Sequence, residues 1–484
     1  MKRDFIFLKI FILLFTASIL FSQESDTGSF GFEEEDTGNF GFGNGGAETG
    51  SAPALKIGGE ISSKLIFFTE GFTSSDKIKK MELGDIFEGK LNFSAGGKAA
   101  DGIINLKIKP DFSGTSSPIY IDEAFLRVYL GPVDIEGGLR KLTWGRADSF
   151  GPLDVINPID YTDLSVMNDP RSIKLARPML HITWNINSFS RLEGVFVPWF
   201  SGDKFALSGR WAPGQITQIL DLLTQGYASD PLMEPLLKLF EKWTSSYDLF
   251  GLYLGTSTLE YAQGGMRFST TLGSSDLGIQ YYYGRFFRPS HSIDLPAFLV
   301  SVGLGNPDLS TIYLDYNWYH QIGVDYAQVI AGFNLRAELG VNITNDLKGD
   351  DGRVYNPQVV WSLGFDRDLI WGINLNLQGN GLFRLLYNKI GNDIFTETEA
   401  GKDRTTTRIT AILSKKLFQD ELEIRTTALW GIEDKDFFII PAIVWSKNDI
   451  TAELSMGIFG GDKNGELGHY RDNSYIKTVL TWKF

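Results

Sequence analysis

From residue 54 onward, apolar and polar side chains alternate one for one in block after block. Leu277, Ile279, Tyr281 and Tyr283 fall on one side of an extended segment, with Gly278, Gln280, Tyr282 and Gly284 on the other; the block at 266–272 returns into it through Gly273-Ser274-Ser275-Asp276. Val359, Trp361, Leu363 and Phe365 alternate with Val360, Ser362 and Gly364. After a turn at Asp366-Arg367-Asp368, Ile373, Leu375 and Leu377 alternate with Asn374, Asn376 and Gln378. Ile450, Ala452, Leu454, Met456 and Ile458 repeat the pattern against Thr451, Glu453, Ser455 and Gly457. Period two with one apolar face marks a β-strand, and turn-forming breaks between such blocks make hairpins. At ~10 residues per spanning strand, with loops of similar mean length, the stretch holds about 16 strands, with roughly 14 to 18 all compatible.

The last block, 475–484, sets the class. Ile476, Thr478, Leu480, Trp482 and Phe484 share one face, and Lys477, Val479, Thr481 and Lys483 the other. A half-buried strand of a soluble protein reads the same way, but a closing Trp-x-Phe places an aromatic pair at a membrane interface. This strand resembles the final strand of bacterial outer-membrane β-barrels, whose terminal aromatic residue is read by the barrel-assembly machinery. The resemblance implies that Trp482 and Phe484 carry that signal. At the other end, Lys2 and Arg3 precede an apolar run at 5–21, interrupted by Lys9 and softened by Thr16 and Ser18, which reads as a secretory signal peptide cut near Ser22. No later apolar run is long enough for a transmembrane helix. The expected fold is therefore all-β: a transmembrane antiparallel β-barrel over 54–484, in contact with outer-membrane lipid.

Two segments depart from the alternation. Residues 23–53 carry an imperfect tandem repeat, Asp26-Thr27-Gly28-Ser29-Phe30-Gly31-Phe32 and Asp36-Thr37-Gly38-Asn39-Phe40-Gly41-Phe42, separated by Glu33-Glu34-Glu35. So acidic and Gly-rich a stretch cannot bury enough surface to fold and is expected as a disordered periplasmic tail. Its Phe-Gly-Phe units read either as a duplicated spacer or as short docking motifs. Residues 215–243 read as helix: Ile216, Ile219, Leu220 and Leu223 recur at helical spacing, and Asp230 as N-cap with Pro231 behind it opens a stripe of Leu232, Leu236, Phe240 and Trp243. An amphipathic insertion of this kind caps or narrows the lumen, or lies on the membrane surface; its few basic residues favour the former.

Composition adds exclusions. With no Cys, the chain has neither disulfides nor a lipid anchor of the cysteine type nor thiolate metal sites. The formal charge is −14, and removing Lys2, Arg3, Lys9 and Asp4 with the leader takes it to −16; nucleic acid is not an expected partner, because phosphate binding needs a clustered basic footprint. A mean hydropathy of −0.08 with 13% aromatic residues fits a chain made apolar by alternation rather than by blocks. His181, His291, His320 and His469 stand apart, with no His-Glu-x-x-His, no Gly-x-Ser-x-Gly and no phosphate loop, so neither catalysis nor a cofactor is expected.

The candidate chemistry lies between residues 121 and 163. Leu126, Val128 and Leu130 point one way and Glu123, Arg127 and Tyr129 the other; Gly131-Pro132 turns the chain, after which Val133, Ile135 and Leu139 point out and Asp134, Glu136 and Arg140 point in. A tight hairpin there puts Arg127 opposite Glu136 and Glu123 opposite Arg140, a ladder of alternating sign on a water-filled wall or merely a solvated exposed hairpin. Next come Gly138-Leu139-Arg140, Trp144-Gly145-Arg146-Ala147-Asp148 and Asp154-Val155-Ile156-Asn157-Pro158-Ile159-Asp160. Here the chain resembles a largely uncharacterised, porin-like family of bacterial outer-membrane barrels that carry Gly-x-Arg, Trp-Gly-x-x-Asp and Asp-x-x-Asn-Pro-x-Asp in series. The resemblance continues through Arg177-Pro178-Met179 and 192–198, about a third of the chain by motif, and implies a barrel channel.

Gly151-Pro152 and Asn157-Pro158 forbid a central strand and make a rigid loop. Folded inward, a loop charged with Arg146, Asp148, Asp154, Asp160 and Asp163, together with Arg171, Lys174 and Arg177, would form a constriction that orients polar solutes; alternatively Asp and Asn cap turns and the arginines tie the loop to the wall. The expected function is passive passage of small solutes through an outer-membrane channel, with Glu123, Arg127, Glu136, Arg140, Arg146, Asp148, Asp154 and Asp160 at its lumen and constriction. A transporter of hydrophobic molecules or lipids, and a structural or adhesive surface barrel, are the alternatives. A homo-oligomer is suggested only by analogy with porins, many of which are trimers.

Overall fold

The computed structural model describes residues 55–70, 87–109, 119–167, 169–206, 209–214, 256–294, 296–297, 300–301, 308–393 and 395–484. The leader, the repeat-bearing tail and the 215–243 segment expected to be helical lie outside the described residues. In chain order the strands are β1 (Leu55–Phe68), β2 (Phe87–Gly96), β3 (Ala100–Ile108), β4 (Ile119–Leu130), β5 (Val133–Arg140), β6 (Asp160–Tyr161), β7 (Arg177–Asn187), β8 (Ser190–Val197), β9 (Lys204–Phe205), β10 (Gln263–Leu272) and β11 (Ser275–Arg285). They continue as β12 (Ser290–Ile293), β13 (Ile312–Asp315), β14 (Trp318–Ile330), β15 (Phe333–Thr344), β16 (Gln358–Asp368), β17 (Ile373–Arg384), β18 (Thr405–Leu417), β19 (Leu422–Gly431), β20 (Asp436–Lys447), β21 (Ile450–Gly461) and β22 (Tyr475–Lys483).

Eighteen of these form one antiparallel sheet, and β1 pairs with β22 as well as with β2, so the sheet closes into a barrel without a free edge. The other four make two short pairs within connections, β6 with β9 and β12 with β13. Eighteen strands is the top of the expected range. The reason is economy at one end of the barrel, where hairpins such as those at Gly131-Pro132 and Ala331-Gly332 turn in two residues, with Ala331 and Gly332 both at positive φ as the favoured hairpin turns require. That end is called the turn end below, and the other, which carries the connections at 141–176, 198–262, 286–317 and 385–404, the loop end.

Burial is inside out. On β11, β14, β15 and β16 the exposed positions are Ile279, Ile322, Leu339 and Leu363, each about half exposed, while their neighbours Gln280, Gln321, Glu338 and Ser362 are buried. Water outside would reverse that preference; a hydrocarbon exterior and a polar interior produce it. Phe189, Trp371, Phe418, Trp445, Trp482 and Phe484 are exposed towards the turn end, and Tyr281, Tyr283 and Trp430 towards the loop end, as two aromatic girdles require. The face assigned to Leu480, Trp482 and Phe484 is the outer one, and Lys477 on the other face is buried in the lumen.

Two apolar clusters interrupt the polar interior. One gathers Ile66, Phe68, Phe438, Phe459 and Tyr475 of the wall around Leu164 and Trp211. The other gathers Met179, Val195, Val197, Tyr282 and Tyr319 around Leu142, Trp144, Val155 and Ile156. In both, the guests come from connections folded into the barrel.

Candidate functional site: an inward loop across a charged lumen

The β4–β5 hairpin has the expected register, and Arg127 Nε lies 2.5 Å from Glu136 Oε1. The second expected pair does not form. At Gly138 a positive φ and the close carbonyl of Ala124 leave no room for a side chain, and beyond it Arg140 turns back onto Glu136 and over the Phe125 ring. Glu123 instead accepts the backbone N–H of Lys141 at 2.8 Å, while β4 carries a register shift beside it that lets Asp122 meet Lys107 and Lys141. Around the wall the ladder runs further than the hairpin: Glu136 to His181 (2.6 Å), His181 to Glu193 (3.4 Å), Glu193 to Arg267 (3.8 Å) and Arg267 to Asp325 (2.5 Å). It ends on the loop, where Arg146 Nε meets Asp325 at 2.8 Å and Arg146 Nη1 meets Asp276 at 3.4 Å. A second link joins Asp148 to Arg336 at 2.8 Å, with Arg336 also 2.7 Å from Asp366.

The loop at 141–176 is therefore inside the barrel, and it has two limbs. In the first, Trp144 is buried edge-on against Tyr282, and the chain turns at Gly145 around the carboxylate of Glu338. That carboxylate accepts the backbone N–H of Arg146, of Ala147 (2.7 Å) and of Leu153 (3.3 Å). Gln378 accepts from Asp148 N (2.9 Å) and donates to Ser149 O (2.6 Å), while Gln280 and Gln321 donate to the carbonyls of Leu153 and Pro152. The base of the loop is stapled by Asn157, which accepts from Leu142 N and donates to the carbonyls of Arg140 and Leu175. Arg177, fully buried, donates to the carbonyls of Ile156 and Trp199 between the rings of Phe200 and Phe287.

The second limb lies on the opposite wall. Asp163 caps a single helical turn, Leu164–Val166, and meets Lys64 of β1 at 3.3 Å. The Ser165 carbonyl accepts from Lys477 and from the Tyr475 hydroxyl, both at 3.2 Å, and Lys107 of β3 donates to Ser172 O at 3.2 Å. In the ring of strands, β15 and β1 lie on opposite sides. One loop thus bridges the lumen.

The sequence candidates separate into two groups. Arg127, Glu136, Arg140, Arg146 and Asp148 come together on the ladder, with Glu123 at its edge. Asp154 pairs with Lys174 inside the loop, and Asp160 accepts from its own neighbour Thr162 and lies 3.8 Å from Lys204, so both serve the loop's framework rather than a row of facing charges. Glu338, Asp325, Arg336, Gln378, Lys64 and Lys107 were not singled out in the sequence. Their strands alternate legibly, but nothing local says that a loop far from them in the chain docks on them.

Above the loop, the connections are tied to one another. Asp203 accepts the Ile159 N–H at 2.8 Å, and burial pushes its carboxyl up to about 6 against the pull of Arg288. Glu466 is half exposed; the partial desolvation it meets would raise it, but Arg408 and Arg288 on either side overcome that and hold the carboxyl down at about 2.

No protein-family model and no curated protein matches the chain. Among solved structures it is similar to the outer-membrane protein OpdK of Pseudomonas aeruginosa, crystallised with vanillate, at 8% identity and a TM-score of 0.46 over 89% of this chain and 98% of that one. It is also similar to OmpF of Salmonella typhi, at 8% identity and a TM-score of 0.40 over 90% and 98% of the two chains. A third similarity is to the outer-membrane channel DcaP of Acinetobacter baumannii, at 8% identity and 0.39 over 91% and 99%.

Proposed function

We propose that this chain is a porin-like channel of the outer membrane through which small polar solutes diffuse passively, with its N-terminal tail on the periplasmic side. The observation that carries the reading is the bridging loop: a closed barrel with an apolar exterior has a lumen lined by ions of both signs, and one connection enters it and narrows it at mid-height. Glu123, Arg127, Glu136, Arg140, Arg146 and Asp148 line that level, where facing acidic and basic groups orient dipolar solutes. A continuous charged ladder weighs against a path for lipids or other hydrophobic molecules, whose passage would leave those charges desolvated. The exposure of Trp482 and Phe484 at the turn-end girdle, with their rings 5.1 Å apart, supports reading them as the signal taken by the assembly machinery.

The test is single-channel conductance of refolded protein in planar bilayers, with Arg140→Ala and Arg146→Ala beside the wild type. Discrete steps whose size or ion preference moves with these arginines support the reading. A correctly folded barrel without steps overturns it in favour of a lipid transporter or a surface scaffold.

A further inference from the structure

We propose that Glu338, a wall residue on β15, is the positioning residue that sets the calibre of the channel by clasping the inward loop; the inference rests on the channel reading above. Three backbone N–H groups of the loop converge on its carboxylate, the successive amides of Arg146 and Ala147 on Oε1 and that of Leu153 on Oε2. Successive amides aimed at one point make an anion-binding concavity, and here the anion is supplied by the opposite partner in the sequence rather than by a ligand. The loop is shaped for this contact. Gly145 adopts a positive φ, and a Cβ there would run into the carboxylate; a Cβ at Gly151 would lie 3.0 Å from Glu338 Oε2. The Trp-Gly-Arg-x-Asp segment then has a mechanical meaning: Trp144 fills the apolar cluster, Gly145 admits the carboxylate, Arg146 reaches Asp325, and Asp148 reaches Arg336.

The loop's own charges are spent on the wall in this arrangement. Arg146 is committed to Asp325 and Asp276, and Asp148 to Arg336 and Asn376. What remains variable is the position of the turn, and of the groups that hold it Glu338 is the one that takes three amides. Charge-assisted hydrogen bonds of this kind are roughly twice as strong as neutral ones, so removing the carboxylate frees the tip of the first limb while the Asn157 and Arg177 staples keep its base.

Two measurements on Glu338→Ala and Glu338→Gln decide it, with Glu423→Gln as a control, since Glu423 faces the lumen beside Arg425 away from the loop. In amide hydrogen exchange of the barrel in bilayers or micelles, protection of Arg146, Ala147 and Leu153 should fall at least about tenfold in Glu338→Ala and less in Glu338→Gln. In planar bilayers, Glu338→Ala should raise single-channel conductance by roughly twofold and add current noise, and Glu423→Gln should do neither. Amides that stay protected in Glu338→Ala would overturn the clasp. Freed amides with unchanged steps would overturn its control of calibre. A wild type without steps would overturn the channel reading and the calibre claim together, and exchange would still decide whether Glu338 holds the loop.

Discussion

The two limbs of the inward loop meet opposite walls through different chemistry. On β11–β17 the wall offers a carboxylate and carboxamides: Glu338 and Gln378 accept backbone N–H groups of the loop, and Gln378, Gln280 and Gln321 donate to its carbonyls. On β22, β1 and β3 the wall offers ammonium groups, and the backbone carbonyls of Ser165 and Ser172 point at Lys477 and Lys107. Glu338 alone takes three amides of the first limb, and Gln378, Gln280 and Gln321 add further bonds to it, whereas Lys477 and Lys107 each bring a point charge on a four-carbon chain to a single carbonyl of the second. The first limb is therefore held in one geometry and the second is held compliantly. If a solute has to widen this channel, the second limb is the one that yields.

The sharpest way to break the contrast is to attack the first limb through Asp325, which takes Arg267 from the wall and Arg146 from the loop at once. Asp325→Ala leaves the buried Arg267 guanidinium with only the more distant Glu193 as counter-ion, and the expected loss is about 3 kcal/mol in unfolding by denaturant, with the tip of the loop released. A loss below ~1 kcal/mol would mean that water already screens this ladder.

Next in size is the hairpin pair. Considered alone, Arg127 and Glu136 should tolerate exchange of their charges, because facing opposite charges on a strand pair are symmetrical. Glu136, however, also receives Arg140 and His181. Arg127→Glu with Glu136→Arg would set a second guanidinium beside that of Arg140 and take the carboxylate away from the His181 ring, so the double variant should be at least as unstable as either single reversal, by roughly 2 kcal/mol or more. Full recovery in the double variant would show the pair to be isolated from the ladder.

That case marks the limit of what the sequence carries. Strand alternation fixes which side chains face the lumen, because period two is a local rule. Arg127 opposite Glu136 follows from turn length, and the inward course of the loop is implied by Gly151-Pro152 and Asn157-Pro158, which bar a central strand. The partners of Arg146 and Asp148 are not local. They depend on barrel curvature bringing β14–β17 under a turn nearly two hundred residues earlier, and no spacing encodes that. Asp154 and Asp160 look like pore charges in a list of acids, yet Lys174 and Thr162 satisfy them first.

The compliant limb should show itself as a smaller effect. Lys477→Met removes one of the two donors to Ser165 O and leaves the Tyr475 hydroxyl, for an expected cost of about 1–2 kcal/mol. Amide exchange should rise around 163–166 and not around 145–153. Adding Tyr475→Phe takes the second donor and should open the limb further. Equal exchange in both limbs would collapse the distinction between them.

The smallest effect is a pH dependence at the loop end, where two carboxyls shift in opposite directions. Glu466 is held at about 2 against an ordinary value of 4.5, so its ties to Arg408 and Arg288 contribute fully above pH 4.5 and are lost as pH falls towards 2. Asp203 is raised to about 6 from 3.8, so the packing around it is fully favourable below pH 3.8 and weakens as pH rises through 6. Of these two carboxyls Asp203 is the one that titrates between pH 4.5 and 7, and its share of the wild type's thermal midpoint should fall by of the order of 1–2 °C over that interval. Asp203→Asn, which keeps an oxygen for the Ile159 N–H, should abolish that loss; Glu466→Gln should leave it in place and instead remove the decline below pH 4.5. Neither variant removes a contact between the two limbs and the barrel wall, so single-channel conductance at fixed pH should stay within about a fifth of wild type. A large change in conductance from either would place the narrowest point of the lumen among the loop-end ties, and the two-limbed loop would then be a scaffold beneath it.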